Sequence, residues 1–239
     1  MYDENYGVWG VRKVWRQLLR EGFSVARCTI ARLMKSMGLT GVLRGKKVRT
    51  TISRKNPAAH DRVNRQFVAE RPDHLWVADF TYASIWQGFA YVAFIIDVFA
   101  GRIVGWRVSP SMETTFVLDA LEQVLWARRP SGTIHHSDKD SQYVSLAYTQ
   151  RLQEAELLAS TGSTGDSYDN AMDESINGLY KAEVIHRQSW KSRAEVELAT
   201  LTWVDWYNNR RLLESLGHIP PAEAEHAYYA SIGNKDLAA

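Results

Sequence analysis

The chain has 239 residues, enough for one large domain or for a core with a small appendage. A hydrophobic content of 45%, with nine Trp residues, is sufficient for a folded core, and the single cysteine excludes an internal disulfide. The longest apolar run, residues 89–96, is too short to span a membrane, and the first residues lack the pattern of a secretory signal. These features exclude a membrane protein or a disulfide-rich secreted protein and indicate a reducing, cytoplasmic location.

The net charge of +2 is the sum of a strongly basic N-terminal part and an acidic remainder. Residues 1–66 carry fifteen Lys or Arg against four Asp or Glu, a balance of +11, whereas residues 67–239 carry fourteen against twenty-three, a balance of −9. A basic head on an acidic body is typical of a nucleic-acid-binding region joined to a carboxylate-rich core. The alternative is that these basic residues form a solvated surface without a binding role, but the helical pattern of the same segment favours DNA binding.

Two amphipathic helices are predicted in the head. The first runs from about Val8 to Arg20 and ends before Gly22, which suits a left-handed C-terminal cap. The second runs from Ser24 or Arg27 to Met37 and ends at Gly38. Its expected buried residues are Ile30, Leu33, Met34 and Met37. Two such helices joined by a short turn indicate a helix-turn-helix, whose second helix can enter the major groove of DNA. The candidate DNA contacts on its exposed side are Arg27, Thr29, Arg32 and Lys35.

A basic segment with little hydrophobic periodicity follows the head. Its side chains are expected to follow DNA phosphates, with Arg44, Lys46 and Lys47 as the candidate contacts. The predicted division of the chain is a helix-turn-helix-like region at 1–39, a basic linker at 40–72, a catalytic core with a C-terminal helix at 73–227 and a tail at 228–239.

The core reads as three strands followed by alternating helices and strands. The predicted strands are Leu75–Ala83, Gly88–Val98, Arg102–Ser109, Gly132–His136 and Leu157–Ser160. The predicted helices are Thr114–Ala127, Ser145–Glu154, one carrying Glu174, and Ser192–Asn208. This order predicts an α/β fold, a mixed sheet flanked by helices, preceded by the small helical region.

Three acids stand where the predicted elements would direct them to one place. Asp79 lies within the first strand, Asp138 follows the fourth, and Glu174 begins a helix after thirty-five intervening residues. Carboxylates are rarely buried unless they are paired or bind a metal. Oxygen ligands suit Mg²⁺ or Mn²⁺, and two such ions can promote reactions at a phosphodiester. We therefore expect Asp79, Asp138 and Glu174 to be both catalytic residues and metal ligands.

Four motifs in the core and near the end of the chain resemble one family. They are His136-Ser-Asp-x-x-Ser-Gln-Tyr143, Gly165-Asp-Ser-Tyr-Asp-Asn-Ala171 followed by Glu174, Tyr207-Asn-Asn-Arg-Arg211 and Leu216-Gly-His-Ile-Pro-Pro-Ala-Glu223. With Asp79, they are similar to the retroviral-integrase-like transposases, especially the second-frame protein of the IS3 group of bacterial insertion sequences.

The resemblance implies a ribonuclease-H-like fold and a DNA transposase that nicks element ends and transfers strands, with two Mg²⁺ or Mn²⁺ ions. It also implies double-stranded DNA and further copies of the chain as partners, an upstream-frame fusion partner and a bacterial cytoplasmic location. Lys181, Arg210 and Arg211 are further candidate DNA contacts.

The chain departs from the family pattern at two places. Asp140 stands where Gly is usual in the family, so the backbone there is expected to need an uncommon dihedral angle, and Asp173 adds an acid beside Glu174. These departures keep one alternative open, a catalytically silent DNA-binding regulator or remnant of a mobile element. A second alternative is a ribonuclease-H-like nuclease that cuts without joining, which the acids alone cannot separate from a transposase.

Overall fold

The computed structural model describes residues 1–42, 62–63, 66–138, 140–161 and 171–236, and it describes only the backbone of residues 171–175 and 234–236. Within these ranges the helices are α1 (Val11–Arg20), α2 (Arg27–Ser36), α3 (Thr114–Arg128), α4 (Leu146–Glu154), α5 (Ala171–Glu183), α6 (Arg193–Asn209) and α7 (Pro221–Asp236). The strands are β1 (Leu75–Ile85), β2 (Gly88–Asp97), β3 (Arg102–Ser109), β4 (Ile134–Ser137) and β5 (Leu158–Thr161). No helix among these has the length and apolarity that a bilayer span requires.

The five strands form one mixed sheet in the order β3-β2-β1-β4-β5. The first three strands pair antiparallel, whereas β4 pairs parallel with β1 and β5 pairs parallel with β4. Each predicted core strand and each predicted helix bounded above is present, with ends within two residues of the prediction, except that α1 begins three residues later than predicted. The predicted α/β class and ribonuclease-H-like strand order are therefore confirmed.

Helices cover both faces of the sheet. Trp76, Phe116 and Leu121 belong to the apolar cluster between the sheet and α3 and α4. Phe94, Tyr180 and Trp203 belong to the cluster on the opposite face, beneath α5 and α6. Because β1 and β2 are covered on both faces, their sequences are nearly continuous apolar runs rather than alternating patterns.

The basic head packs directly on the core. Trp9 is buried in the same apolar cluster as α5 and α6. The Trp206 indole N–H donates to Asn5 Oδ1 at 2.9 Å, and Arg20 on α1 forms a salt bridge with Glu223 on α7 at 2.6 Å. These contacts fix α1 against α6 and α7.

The two head helices end as predicted, but α2 buries less than predicted. Gly22 and Gly38 both have positive φ, +89° and +67°, as a left-handed cap requires. Ile30 and Met34 are buried. Leu33 and Met37 are exposed, so their predicted burial is wrong, because among the described elements α2 packs mainly against α1.

Packing on the core extends beyond the predicted boundaries at 73 and 227. Val63 is buried in a small apolar cluster at the edge of the sheet, and the Arg62 backbone N–H donates to Ser160 Oγ at 2.9 Å. At the other end, Tyr228 packs on Phe99 with ring centroids 5.1 Å apart, and α7 continues to residue 236. Arg62 and Val63 of the predicted linker and Tyr228 of the predicted tail therefore contact the core.

Candidate active site

The pairing of β1 with β4 brings the first two predicted acids together. The parallel register matches Ala78 with Ser137, so Asp79 and Asp138 are the next residues along two adjacent strands. Neighbouring strands lie about 4.8 Å apart. Both residues are half-buried at this point, where β4 ends and β1 continues.

Two hydrogen bonds hold the Asp79 carboxylate in place. The Phe80 backbone N–H donates to Oδ1 at 2.7 Å, and the Asn177 amide donates to Oδ2 at 2.8 Å. Burial, followed by the negative charge of Asp138, raises the pKa of Asp79 to about 7, although both hydrogen bonds oppose this shift. Two carboxylates in one half-buried place repel each other, and a bound cation would relieve this repulsion.

The neighbouring acid Asp140 also contributes to the electrostatics of the site. It is exposed, and its charge adds to the causes that raise the pKa of Asp79, after burial and Asp138. Its φ lies outside the left-handed region, so the expectation that this position needs an uncommon backbone angle is wrong. Lys139 lies outside the described residues.

The third acid, Glu174, lies in the first turn of α5, and α5 packs against β1. Residues three apart share one face of a helix, so the backbone of Glu174 is on the face that carries Asn177 toward Asp79. Its side chain is outside the described set. Among the side chains that the structure does describe, no three His, Cys, Asp or Glu residues form a group that could hold a metal.

Asn177 is a site residue that sequence reasoning missed. Its side chain is nearly buried, and within the described part of the chain no hydrogen-bond partner reaches its Oδ1. An amide that donates to the Asp79 carboxylate and keeps a buried acceptor fits a role in orienting the candidate site. Its spacing of three residues from Glu174 was the available sequence signal.

Lys181, one turn further along α5, is the predicted DNA contact that lies near the acids. Its Nζ lies 4.9 Å from the centre of the Tyr82 ring. Burial lowers the pKa of Lys181, and the charge of Asp79 acts in the opposite direction. The ammonium group therefore stands close enough to Asp79 to interact with it electrostatically.

The other predicted DNA contacts are spread over the molecule. Arg27, Arg32 and Lys35 are exposed on α2, Thr29 is half-buried there, and Arg210 is exposed after α6. Arg44, Lys46 and Lys47 lie outside the described residues.

The prediction that Arg211 contacts DNA is wrong. Its guanidinium is buried and forms a salt bridge with Glu183 at the end of α5. The Trp203 indole N–H donates to the same carboxylate at 3.1 Å. This buried ion pair joins two segments of the core, and its guanidinium is not exposed to a phosphate.

The two histidines of β4 are buried in the core. Burial, with the charge of His136, lowers the pKa of His135 to about 4, and its Nε2 is hydrogen-bonded to the Tyr148 hydroxyl at 3.1 Å. His136 Nδ1 is hydrogen-bonded to Ser160 Oγ at 3.0 Å. Both side chains therefore anchor the strand that ends immediately before Asp138.

A cleft of about 710 Å³ lies away from the acids, between Phe67, Val98 and Leu179. Its described lining is mainly apolar and contains no acid. Such a lining does not suit metal-dependent chemistry on a polyanion, so the acids at the end of β4 are the better candidate site.

Comparison with known proteins supports an integrase-like core and a helix-turn-helix-like head. The family described as "Integrase core domain" matches residues 69–167, a second family with that description matches 157–221, and "HTH-like domain" matches 1–47. Among solved structures, a simian T-cell lymphotropic virus intasome in complex with PP2A regulatory subunit B56 gamma aligns with a TM-score of 0.56 and 12% identity, over 85% of this chain and 68% of that one. The HTLV-2 integrase catalytic core in complex with magnesium aligns with a TM-score of 0.51 and 13% identity, over 66% and 99%.

Curated relatives are far closer in sequence. A transposase for insertion sequence element IS629 from Shigella sonnei is 87% identical over 239 residues, which is 100% of this chain and 81% of the relative. A putative transposase for IS986/IS6110 from Mycobacterium tuberculosis is 53% identical over 240 residues, covering 96% and 86%. The chain therefore belongs to the family of insertion-sequence transposases with an integrase-type core.

Proposed function

We propose that this transposase cuts and joins DNA strands at a site where Asp79, Asp138 and Glu174 hold two divalent cations, Mg²⁺ or Mn²⁺. The observation that carries the proposal is the register of β1 and β4, which sets Asp79 beside Asp138. The magnesium bound by the structurally similar HTLV-2 core supports the choice of metal.

The donor set fits a hard divalent cation. Burial, followed by the negative charge of Asp138, raises the pKa of Asp79, and oxygen ligands are those that Mg²⁺ prefers. Bound cations would supply Lewis-acid stabilisation of the reacting phosphodiester oxygens and would lower the pKa of a water. Phe80 N–H and Asn177 orient the Asp79 oxygens, and Lys181 adds positive charge for a nearby phosphate.

The reaction has two phosphoryl-transfer steps at this one site. Water displaces a 3′ oxygen at the element end, so that a 3′ hydroxyl is released. That hydroxyl then attacks a phosphodiester of the target strand and displaces another 3′ oxygen. Neither step needs a covalent enzyme intermediate, so the contribution of the side chains is positioning and charge neutralisation.

Duplex DNA contacts are proposed for the exposed side of α2 and for two residues of the core. The residues are Arg27, Thr29, Arg32, Lys35, Lys181 and Arg210. Cutting and joining paired ends requires two active sites, so we also propose a homo-oligomer. The upstream-frame fusion partner stays a prediction. Because the substrate is DNA, the proposed location is the bacterial cytoplasm.

The three acids give the first prediction. Asp79→Asn, Asp138→Asn and Glu174→Gln should each reduce Mg²⁺-dependent nicking below about one hundredth of the wild-type rate while DNA binding persists, because each removes a charged metal ligand. The measurement is a nicking and strand-transfer assay with labelled element ends.

Two matched controls are available. Asp205→Asn changes an exposed acid on α6 and should leave the rate unchanged. Asp140→Gly should preserve or raise activity, because it removes a charge that raises the pKa of Asp79 and restores the usual family residue. Wild-type activity in any of the three acid variants would remove that acid from the site. Nicking by the wild type without joining would identify a nuclease.

Asn177 gives the second prediction. Asn177→Ala should raise the Mg²⁺ concentration needed for half-maximal nicking by about 10–100-fold, because it removes the hydrogen bond that orients Asp79. Asn209→Ala is the matched control, since Asn209 bonds to exposed Asp205 on α6. A variant that melts at a lower temperature but keeps the wild-type Mg²⁺ requirement would leave Asn177 with a structural role alone.

The head gives the third prediction. Replacing Arg27, Arg32 and Lys35 together by Gln in the full chain should weaken duplex binding and reduce the slope of log affinity against log salt by up to about three, since each phosphate contact adds roughly 0.9 to that slope. The measurement is fluorescence anisotropy at several salt concentrations. Arg107→Gln, at an exposed position on β3 that pairs with Asp119, is the control. An unchanged slope in the triple variant would show that α2 presents only solvated surface.

A further inference from the structure

The part of β1 beyond its pairing with β4 forms one wall of a cleft beside the acids. The pairing of β1 with β4 stops at Ala78, but β1 continues to Ile85 before it turns into β2. A cleft of about 450 Å³ lies between this strand end and the segment after α5, with Tyr82, Trp86, Lys181 and Trp190 in its lining. This volume is within the roughly 300–1,000 Å³ range of pockets that hold small organic groups.

Large aromatic side chains are exposed at this end of the hairpin. Trp86 is 72% exposed, Tyr82 is 55% exposed and Phe89 is 50% exposed. Phe89 contacts Tyr82 edge to face with ring centroids 5.5 Å apart, so the Tyr82 ring is supported by its neighbour. The Trp86 backbone N–H donates to the Trp190 carbonyl at 3.0 Å, which ties the turn to the segment after α5. Clustered exposed rings on a fixed backbone are typical of a binding surface.

A cation accompanies each of the two rings that line the cleft. Lys181 Nζ lies 4.9 Å from the centre of the Tyr82 ring, and Lys191 Nζ lies 5.7 Å from the centre of the Trp86 ring. An apolar protein partner would have to bury these ammonium groups, which is unfavourable without paired charges. A ligand that carries both flat aromatic rings and negative charge satisfies the rings and the cations together. Nucleic acid has this chemistry, and single-strand binding sites combine aromatic rings with basic side chains.

The position of the cleft specifies which part of the DNA could reach it. Lys181 lies one turn beyond Asn177 on α5, and the Asn177 amide donates to Asp79 Oδ2, so the cleft begins beside the acids. Bases inside a duplex have both faces covered by neighbouring base pairs, so a base within the strand must be unpaired before it can stack on a protein ring. We propose that Tyr82 and Trp86 form a stacking platform for an unpaired nucleobase next to the reacting phosphodiester, with Lys181 and Lys191 binding the flanking phosphates. The placement of the reacting phosphodiester rests on the proposed function; the platform itself rests on the rings and cations.

The test compares two DNA probes with the full chain in metal-free buffer, so that no strand is cut. Both probes are duplexes with a short single-stranded overhang, one with bases and one with abasic residues in the overhang. The wild type should bind the base-containing probe about fivefold or more tightly, given the strength of base–aromatic stacking. Tyr82→Ala and Trp86→Ala should lose most of this preference, and Trp86→Phe should keep much of it.

Trp126→Ala is the matched control, because Trp126 is 85% exposed on α3 and away from the cleft, and it should keep the full preference. Equal affinity of the wild type for both probes would overturn the proposal, as would an unchanged preference in both alanine variants. The platform would also be refuted if these variants lost self-association in sedimentation, because the rings would then be a contact between copies.

The outcome for the platform is separable from the outcome for the active site. Asp79→Asn should keep the preference for unpaired bases, since it leaves the rings and lysines in place. A wild type that shows the preference but does not cut DNA in Mg²⁺ would refute the proposed function alone. A wild type that cuts and joins DNA without the preference would refute the platform alone.

Discussion

The parallel pairing of β1 with β4 is the constraint on which the proposed active site depends. Asp79 and Asp138 are far apart in sequence, and the register of Ala78 with Ser137 alone makes them neighbours. A slip of one residue in this register would turn one strand's side chains to the other face of the sheet. The register is secured by burial, because β4 is held between β1 and β5 and its histidines are packed inside the sheet.

The second constraint is the placement of α5 across β1. Tyr180 packs on Phe94 with ring centroids 5.2 Å apart, and the buried pair of Glu183 with Arg211 joins the end of the helix to the segment after α6. Because the helix is fixed at its C-terminal half, Asn177 reaches Asp79 and Lys181 reaches Tyr82. Removing one partner of a buried ion pair costs about 3–5 kcal/mol, so Arg211 serves the site by holding α5 rather than by touching DNA. The head packs on α6 from outside through Trp9 and therefore shares the same support.

Much of the fold could be predicted because its signals are local. Apolar runs predict β1 and β2, Gly22 and Gly38 predict the ends of α1 and α2, and a helical apolar pattern predicts α6. The structure has these strands, helix ends and α6 within two residues of the prediction. The errors concern contacts between distant segments. Nothing near Arg211 in sequence indicates that its partner is Glu183, and nothing near Trp9 indicates that it is buried under α6. Asn177 was missed because its meaning depends on a carboxylate ninety-eight residues away. Exposed Leu33 and Met37 show that a helical apolar pattern fixes the face that packs but not how much of it is covered.

The most direct test of the central claim is the location of bound metal. Crystals of the protein with Mn²⁺ and cleaved end DNA, measured at a wavelength where manganese scatters anomalously, would locate the ions without reference to activity. The account predicts anomalous peaks between the carboxylates of Asp79 and Asp138, with Glu174 as a further ligand. Manganese bound by Asp140 in place of Asp138, or bound away from the end of β4, would contradict it.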